Sequence, residues 1–130
     1  MVKGGDMLIV STVFFGIAAL LGLIMLALVF QGKNVPLTAA SCHGGLSIVG
    51  VTLLWVAAYN GGYEGILVWS LGLFILAALG GTWLLYGFQL KNRKLPLGII
   101  LTHGFIAVVA FVILLVAVIT PLSLTGEIFP

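Results

Sequence analysis

The sequence predicts an all-α integral membrane protein, an up-down-up-down bundle of four helices, and three observations carry that expectation. The 130-residue chain is 62% hydrophobic and only 6% charged, whereas roughly a quarter of the residues of a soluble domain are charged. Its apolar residues fall into four runs, near 8–30, 36–59, 66–90 and 96–120, each longer than the roughly 20 residues needed to cross about 30 Å of hydrocarbon. The connections between runs are short, so consecutive spans lie antiparallel as neighbours. Unpaired backbone groups are not tolerated in lipid, and the runs lack the short alternating segments of barrel strands, so all four are read as helices.

The first run follows Lys3 and could pass for a signal peptide, but it is longer than the roughly 7–15 apolar residues of such a segment. It also has a counterpart later in the chain. Ala18-Ala19-Leu20-Leu21-Gly22 is echoed by Ala77-Ala78-Leu79-Gly80-Gly81, and Phe30-Gln31 by Phe88-Gln89. The second run is echoed by the fourth more closely: Pro36-Leu37 leads to His43-Gly44 as Pro96-Leu97 leads to His103-Gly104, sixty positions on. Residues 1–60 and 61–130 therefore read as two copies of one helical hairpin within a single transmembrane domain, related by a pseudo-two-fold axis along the membrane normal.

Charge sets the expected orientation. Lys33, Lys91, Arg93 and Lys94 fall in the first and third connections, at 31–34 and 90–94, whereas Lys3 stands on the other side with Asp6, Glu64 and Glu127. The excess of positive charge places the two basic connections in the cytoplasm and both termini outside, in an inner (plasma) membrane of bacterial type. Trp55, Tyr59, Tyr63 and Trp69 then fall near the outer boundary and Phe30, Tyr86 and Phe88 near the inner one, as interfacial anchors do. Pro121 marks the end of the last span. The few charges form no basic face, which argues against a nucleic-acid partner. Cys42 is the sole cysteine, so no disulfide forms within the chain, and a small apolar filler is its expected role.

The two histidines are the candidate site. Each is an ionisable group inside a long apolar run, where such a side chain is expensive and marks function by default. Pro36 and Pro96 suit the first helical position, which puts both imidazoles about 10 Å along their helices, at matching depth. Helices two and four run in the same direction, so the rings can face one another across the bundle, the arrangement a bis-histidine iron site requires. Ser47 and Gly50 share the face of His43, and Ala107 and Ala110 that of His103, leaving space beside each ring. Inward-facing Cα atoms on a square bundle's diagonal are only about 9–10 Å apart. Helices two and four are therefore expected to splay, with Gly44 and Gly104 permitting it and the Ala and Gly positions of helices one and three admitting a cofactor edge. Lys33, Arg93 and Lys94 would reach back to pair with haem propionates.

On its four spans and two P-L-x5-H-G segments, the chain resembles the transmembrane b-type cytochromes, in which histidines on a four-helix bundle hold haem. The resemblance implies one haem b per chain, with His43 and His103 as the metal ligands and electron exchange with a quinone or a partner protein. Larger members carry four ligand histidines for two haems; this chain has two, so at most one such haem can be built. An electron-transfer protein or redox subunit is expected rather than a stand-alone enzyme, and crossing the whole membrane would call for a partner subunit, a quinone or a second copy of the chain.

Two rival readings stand beside this one. The facing histidines could form a polar or proton-conducting seam in a small transport, accessory or assembly protein, and a homo-oligomer would suit so small a carrier. They could also act purely as hydrogen-bonding groups between helices. Zinc or copper is less favoured, because those ions want three or four protein ligands. No nucleophilic triad, phosphate-binding loop or carboxylate pair is present.

Overall fold

The computed structural model describes residues 4–61 and 65–120. Within them the chain forms α1 (Gly4–Phe30), α2 (Leu37–Gly61), α3 (Ile66–Gly87) and α4 (Leu97–Ile119), with one 3-10 turn, Gln89–Lys91, between α3 and α4. All four helices are long and apolar enough to cross a membrane, and the protein is an all-α membrane bundle. Its closest packing joins α1 to α2 and α3 to α4; sparser seams between α2 and α3 and between α1 and α4 close the ring. Helices two and four are parallel, and the connections after α1 and after α3 meet at one end, where they line a common cavity.

The boundaries differ from the expected ones in ways that have local causes. Helix α1 begins at Gly4, earlier than the apolar run, because Asp6 in its first turn is compatible with a helix N-terminus. The third helix ends at Gly87 and not at residue 90. Pro96 lies one place before its helix rather than at its first position, with an extended backbone at φ −77° and ψ 115°. Its carbonyl accepts the N–H groups of Ile99 and Ile100, both at 3.1 Å. Pro36 stands in the same place before α2, its carbonyl accepting the Ala40 N–H at 3.2 Å. Lys3, Tyr63, Glu64, Pro121, Glu127 and the rest of the tail 122–130 lie outside the described residues.

Both connections at the shared end are built alike. After α1, Gly32 takes a left-handed conformation at φ 69°; its N–H bonds to the Val29 carbonyl at 3.0 Å and the Lys33 N–H to that of Leu28 at 2.9 Å. This is the paired reverse bonding that closes helix C-termini around a left-handed residue. Sixty positions later Asn92 is left-handed at φ 51°, with its N–H on Gln89 at 3.0 Å and the Arg93 N–H on Phe88 at 2.9 Å. Asparagine tolerates this region better than other side-chain-bearing residues. Gln89 Nε2 donates to the Val35 carbonyl at 3.1 Å, tying one connection to the other.

The core is small. Leu8, Phe15, Leu54, Ala57, Leu67, Phe74, Ala110 and Leu114 form it, and at its centre Phe15 of α1 and Phe74 of α3 stack with ring centroids 3.7 Å apart and planes 3° from parallel. Most other large apolar side chains, among them Leu20, Ile48, Phe105 and Val112, face outward. In lipid that exposure costs nothing, so the helices are held together by close packing and hydrogen bonds rather than by apolar burial. Trp55, Tyr59, Trp69, Phe30 and Tyr86 are exposed, as interfacial anchors must be. Phe88 is only half-exposed and packs against the Trp83 ring at 6.5 Å.

Two fully buried hydroxyls clamp the hairpins. Ser11 Oγ donates to the Gly50 carbonyl at 3.0 Å, and Ser70 Oγ to that of Ala110 at 2.9 Å. Replacing either serine by alanine should cost about 0.6 kcal/mol, the average for interhelical hydrogen bonds in membranes. The two losses should add, because each bond lies in a different hairpin. Equilibrium unfolding in mixed detergent micelles measures this; strongly non-additive losses would show the hairpins not to be independent units.

Candidate functional site

Each histidine is held by the helix it packs on. His43 Nδ1 lies 2.8 Å from the Ala18 carbonyl of α1, and His103 Nδ1 lies 2.8 Å from the Ala77 carbonyl of α3. A carbonyl can only accept, so Nδ1 carries the proton in both rings and a neutral imidazole keeps its lone pair on Nε2. Among the described residues neither Nε2 has a hydrogen-bond partner.

Glycine makes these bonds possible. In a helix, the residue four places after a carbonyl stands beside it, and here those residues are Gly22 and Gly81. A Cβ at Gly22 would sit 3.3 Å from His43 Cε1, and one at Gly81 only 3.1 Å from His103 Cε1. Ala18-x-x-x-Gly22 and Ala77-x-x-x-Gly81 are therefore notches that admit an imidazole to a helix carbonyl, with Gly80 adding room beside His103. The two rings meet across the bundle, their centroids 6.1 Å apart and their planes inclined at 73°. On the side away from the basic connections, the Phe15–Phe74 stack fills the bundle centre, pressed against Gly50, where a Cβ would meet Phe15 Cε1 at 3.0 Å.

No family model matches this chain, and neither a curated protein nor a solved structure is detectably similar to it.

The other expected site residues divide. Gly44 and Gly104 face open space, with nothing within 4 Å of an added Cβ. Ser47 donates its hydroxyl to the His43 carbonyl at 2.8 Å, a bond within α2. Ala107 stands half-buried one turn beyond His103. The room expected beside α1 and α3 for a cofactor edge is occupied at Gly22 and Gly81 by the imidazoles themselves. Cys42 is exposed on the outer face of α2, away from the pair. Lys33, Arg93 and Lys94 gather around one cavity of about 790 Å³ between the two basic connections. His103 also lines an open, largely apolar groove of about 400 Å³ on the outer side of α3 and α4, with Leu79, Trp83 and Thr102.

Several participants escaped the sequence reading: Ser11, Ser70, the phenylalanine stack and the accepting carbonyls of Ala18 and Ala77. A signal for them existed. Ser11, Phe15, Ala18 and Gly22 recur as Ser70, Phe74, Ala77 and Gly81, each fifty-nine positions on, while the α2 residues recur in α4 at sixty. Between these two registers, Phe30-Gln31 recurs as Phe88-Gln89 at fifty-eight, so the repeat slips by one or two residues before the second helix of each hairpin.

The donor set bears on which group the pair could hold. Among the described residues no third His, Cys, Asp or Glu joins the imidazoles, whereas a porphyrin brings four nitrogens of its own and asks the protein only for axial ligands. In donor type, two imidazoles each anchored through Nδ1, with no third ligand beside them among the described residues, suit a group that brings its own nitrogens better than a bare metal ion.

Proposed function

We propose that this chain is a membrane b-type cytochrome or cytochrome subunit, with His43 and His103 as the axial ligands of one haem. The observation that carries the reading is that the two imidazoles lie 6.1 Å apart across the bundle, each Nδ1 fixed on a main-chain carbonyl and each Nε2 without a hydrogen-bond partner among the described residues. Anchoring the second ring nitrogen is how proteins orient metal-binding histidines and raise their basicity. When bound, haem iron supplies one-electron chemistry. The chain's own residues hold the imidazoles in one tautomer, set their separation and, through Phe15 and Phe74, pack the core beside them. The groove beside His103 offers a lipid-soluble carrier such as a quinone an approach from the membrane. Purified in mild detergent, the protein should show a Soret band and sharpened α/β bands on reduction. Colourless protein that takes up no added haemin would leave the imidazoles as interhelical clamps, or as the polar seam of a transport or assembly protein.

Two further features belong to this reading. Recurrence of the serine and histidine bonds supports descent of residues 1–60 and 61–130 from one duplicated hairpin. The gathering of Lys33, Lys91, Arg93 and Lys94 at one end supports a cytoplasmic placement of both basic connections. With Cys42 first replaced by alanine, Lys33→Cys and Lys94→Cys should each be protected from a membrane-impermeant maleimide in intact cells and labelled after permeabilisation. Labelling of either in intact cells would reverse the orientation.

A further inference from the structure

The cavity between the two basic connections has a chemistry of its own. Lys33, Arg93 and Lys94 line it together with the amides of Asn34, Gln89 and Asn92. The one acidic residue among those described, Asp6, lies in the first turn of α1, at the opposite end of the bundle. Helices α2 and α4 both begin at this end. Their first backbone N–H groups have no intrahelical acceptor, and the positive ends of their dipoles add to the field. No side chain caps α4. A volume of about 790 Å³ with three cations and no described counter-charge calls for an anion.

The walls narrow the kind of anion. Val29, Leu37, Leu90 and Leu95 share the lining with the cations, and Leu37 and Leu90 are exposed near the ends of apolar helices long enough to cross a membrane. A free ion has no use for such walls; an anionic group carrying an acyl chain does. The Gln89–Val35 bond fixes one connection against the other, so the cations are presented by two braced loops closed by matching left-handed residues, Gly32 and Asn92. Basic pockets at the cytoplasmic ends of transmembrane helices are a recognised setting for acidic lipid headgroups.

We propose that this cavity binds the headgroup of one acidic phospholipid, its phosphate among Lys33, Arg93 and Lys94 and its acyl chains running up the outer faces beside Leu37 and Leu90. The site does not rest on the cytochrome reading. That reading gives the same cations another task, pairing with haem propionates, so the two are separated by measuring lipid in protein with and without the histidines.

The test is native mass spectrometry in mild detergent, titrating dioctanoyl phosphatidylglycerol against dioctanoyl phosphatidylcholine. One phosphatidylglycerol per chain should bind saturably, at least tenfold more tightly than phosphatidylcholine. It should still bind in the His43→Ala/His103→Ala variant. The combined variant Lys33→Gln/Arg93→Gln/Lys94→Gln should lose about a hundredfold in affinity, about fivefold for each charge. Lys91→Gln removes a charge from the same connection but outside the cavity lining, and should change affinity less than twofold. Circular dichroism of the triple variant should retain the helical spectrum, so that loss of binding is not loss of fold. Four outcomes would overturn the proposal: equal binding of the two lipids, unchanged affinity in the triple variant, a loss in Lys91→Gln as large as in Arg93→Gln, or displacement of the lipid by equimolar inorganic phosphate.

Discussion

Replacing either histidine should remove the low-spin haem spectrum altogether. On the proposed reading, His43→Ala and His103→Ala each take away one of two axial ligands, and the chain contains no third histidine to substitute. The remaining imidazole would still be anchored through Nδ1, on Ala77 or on Ala18, so each variant should keep one ligand and give either apoprotein or a five-coordinate, high-spin species. Visible and electron paramagnetic resonance spectra of the purified variants distinguish these from the wild type. Adding imidazole to the medium should restore six-coordination in part, because truncation to alanine leaves a space of the right shape. A variant that retained the wild-type low-spin spectrum would remove that histidine from the ligand set. The fold should survive both changes, since each costs one interhelical hydrogen bond, worth about 0.6 kcal/mol on average in a membrane.

The glycines should separate into two classes with opposite effects. Gly81→Val places a branched side chain where even a Cβ stands 3.1 Å from His103 Cε1 and 3.6 Å from Nδ1. The ring must then leave the Ala77 carbonyl or push α3 and α4 apart. Overpacking of this kind costs about 1–3 kcal/mol, and on the proposed reading the displaced imidazole should also bind iron more weakly or not at all. Gly22→Val should do the same to His43, and Gly50→Ala should disturb the Phe15–Phe74 stack, whose Phe15 ring comes within 3.0–3.2 Å of the added carbon. Gly44→Ala and Gly104→Ala meet nothing within 4 Å; they should be neutral or slightly stabilising, since alanine is favoured over glycine in a helix by up to about 1 kcal/mol. Unfolding in detergent and the visible spectrum, read on the same samples, test both halves. Equal damage at Gly44 and Gly81 would contradict the notch.

The glycine after each histidine was the conspicuous one in the sequence, yet a Cβ there would meet nothing within 4 Å. The glycine that matters is on the neighbouring helix, beside the carbonyl that the imidazole seeks, and nothing in α2 or α4 points to it. Distances between idealised helix axes say nothing of two rings that turn toward their own hairpin partners for hydrogen bonds and meet at 6.1 Å.

What the sequence by itself determined was the class, the number of spans, their antiparallel order and the pairing of His43 with His103. These follow from composition, run length, short connections and recurrence, all of which are local or countable along the chain. The tertiary structure alone decided which faces meet. These helices are apolar all the way round, so no amphipathic stripe marks the inward side as it would in a water-soluble bundle. Lipid leaves that choice to packing shape and to a few polar atoms. Only the folded chain therefore shows that Ser11 and Ser70 clamp the hairpins, that Ala18 and Ala77 accept the histidines, and that Lys33, Arg93 and Lys94 converge on one cavity.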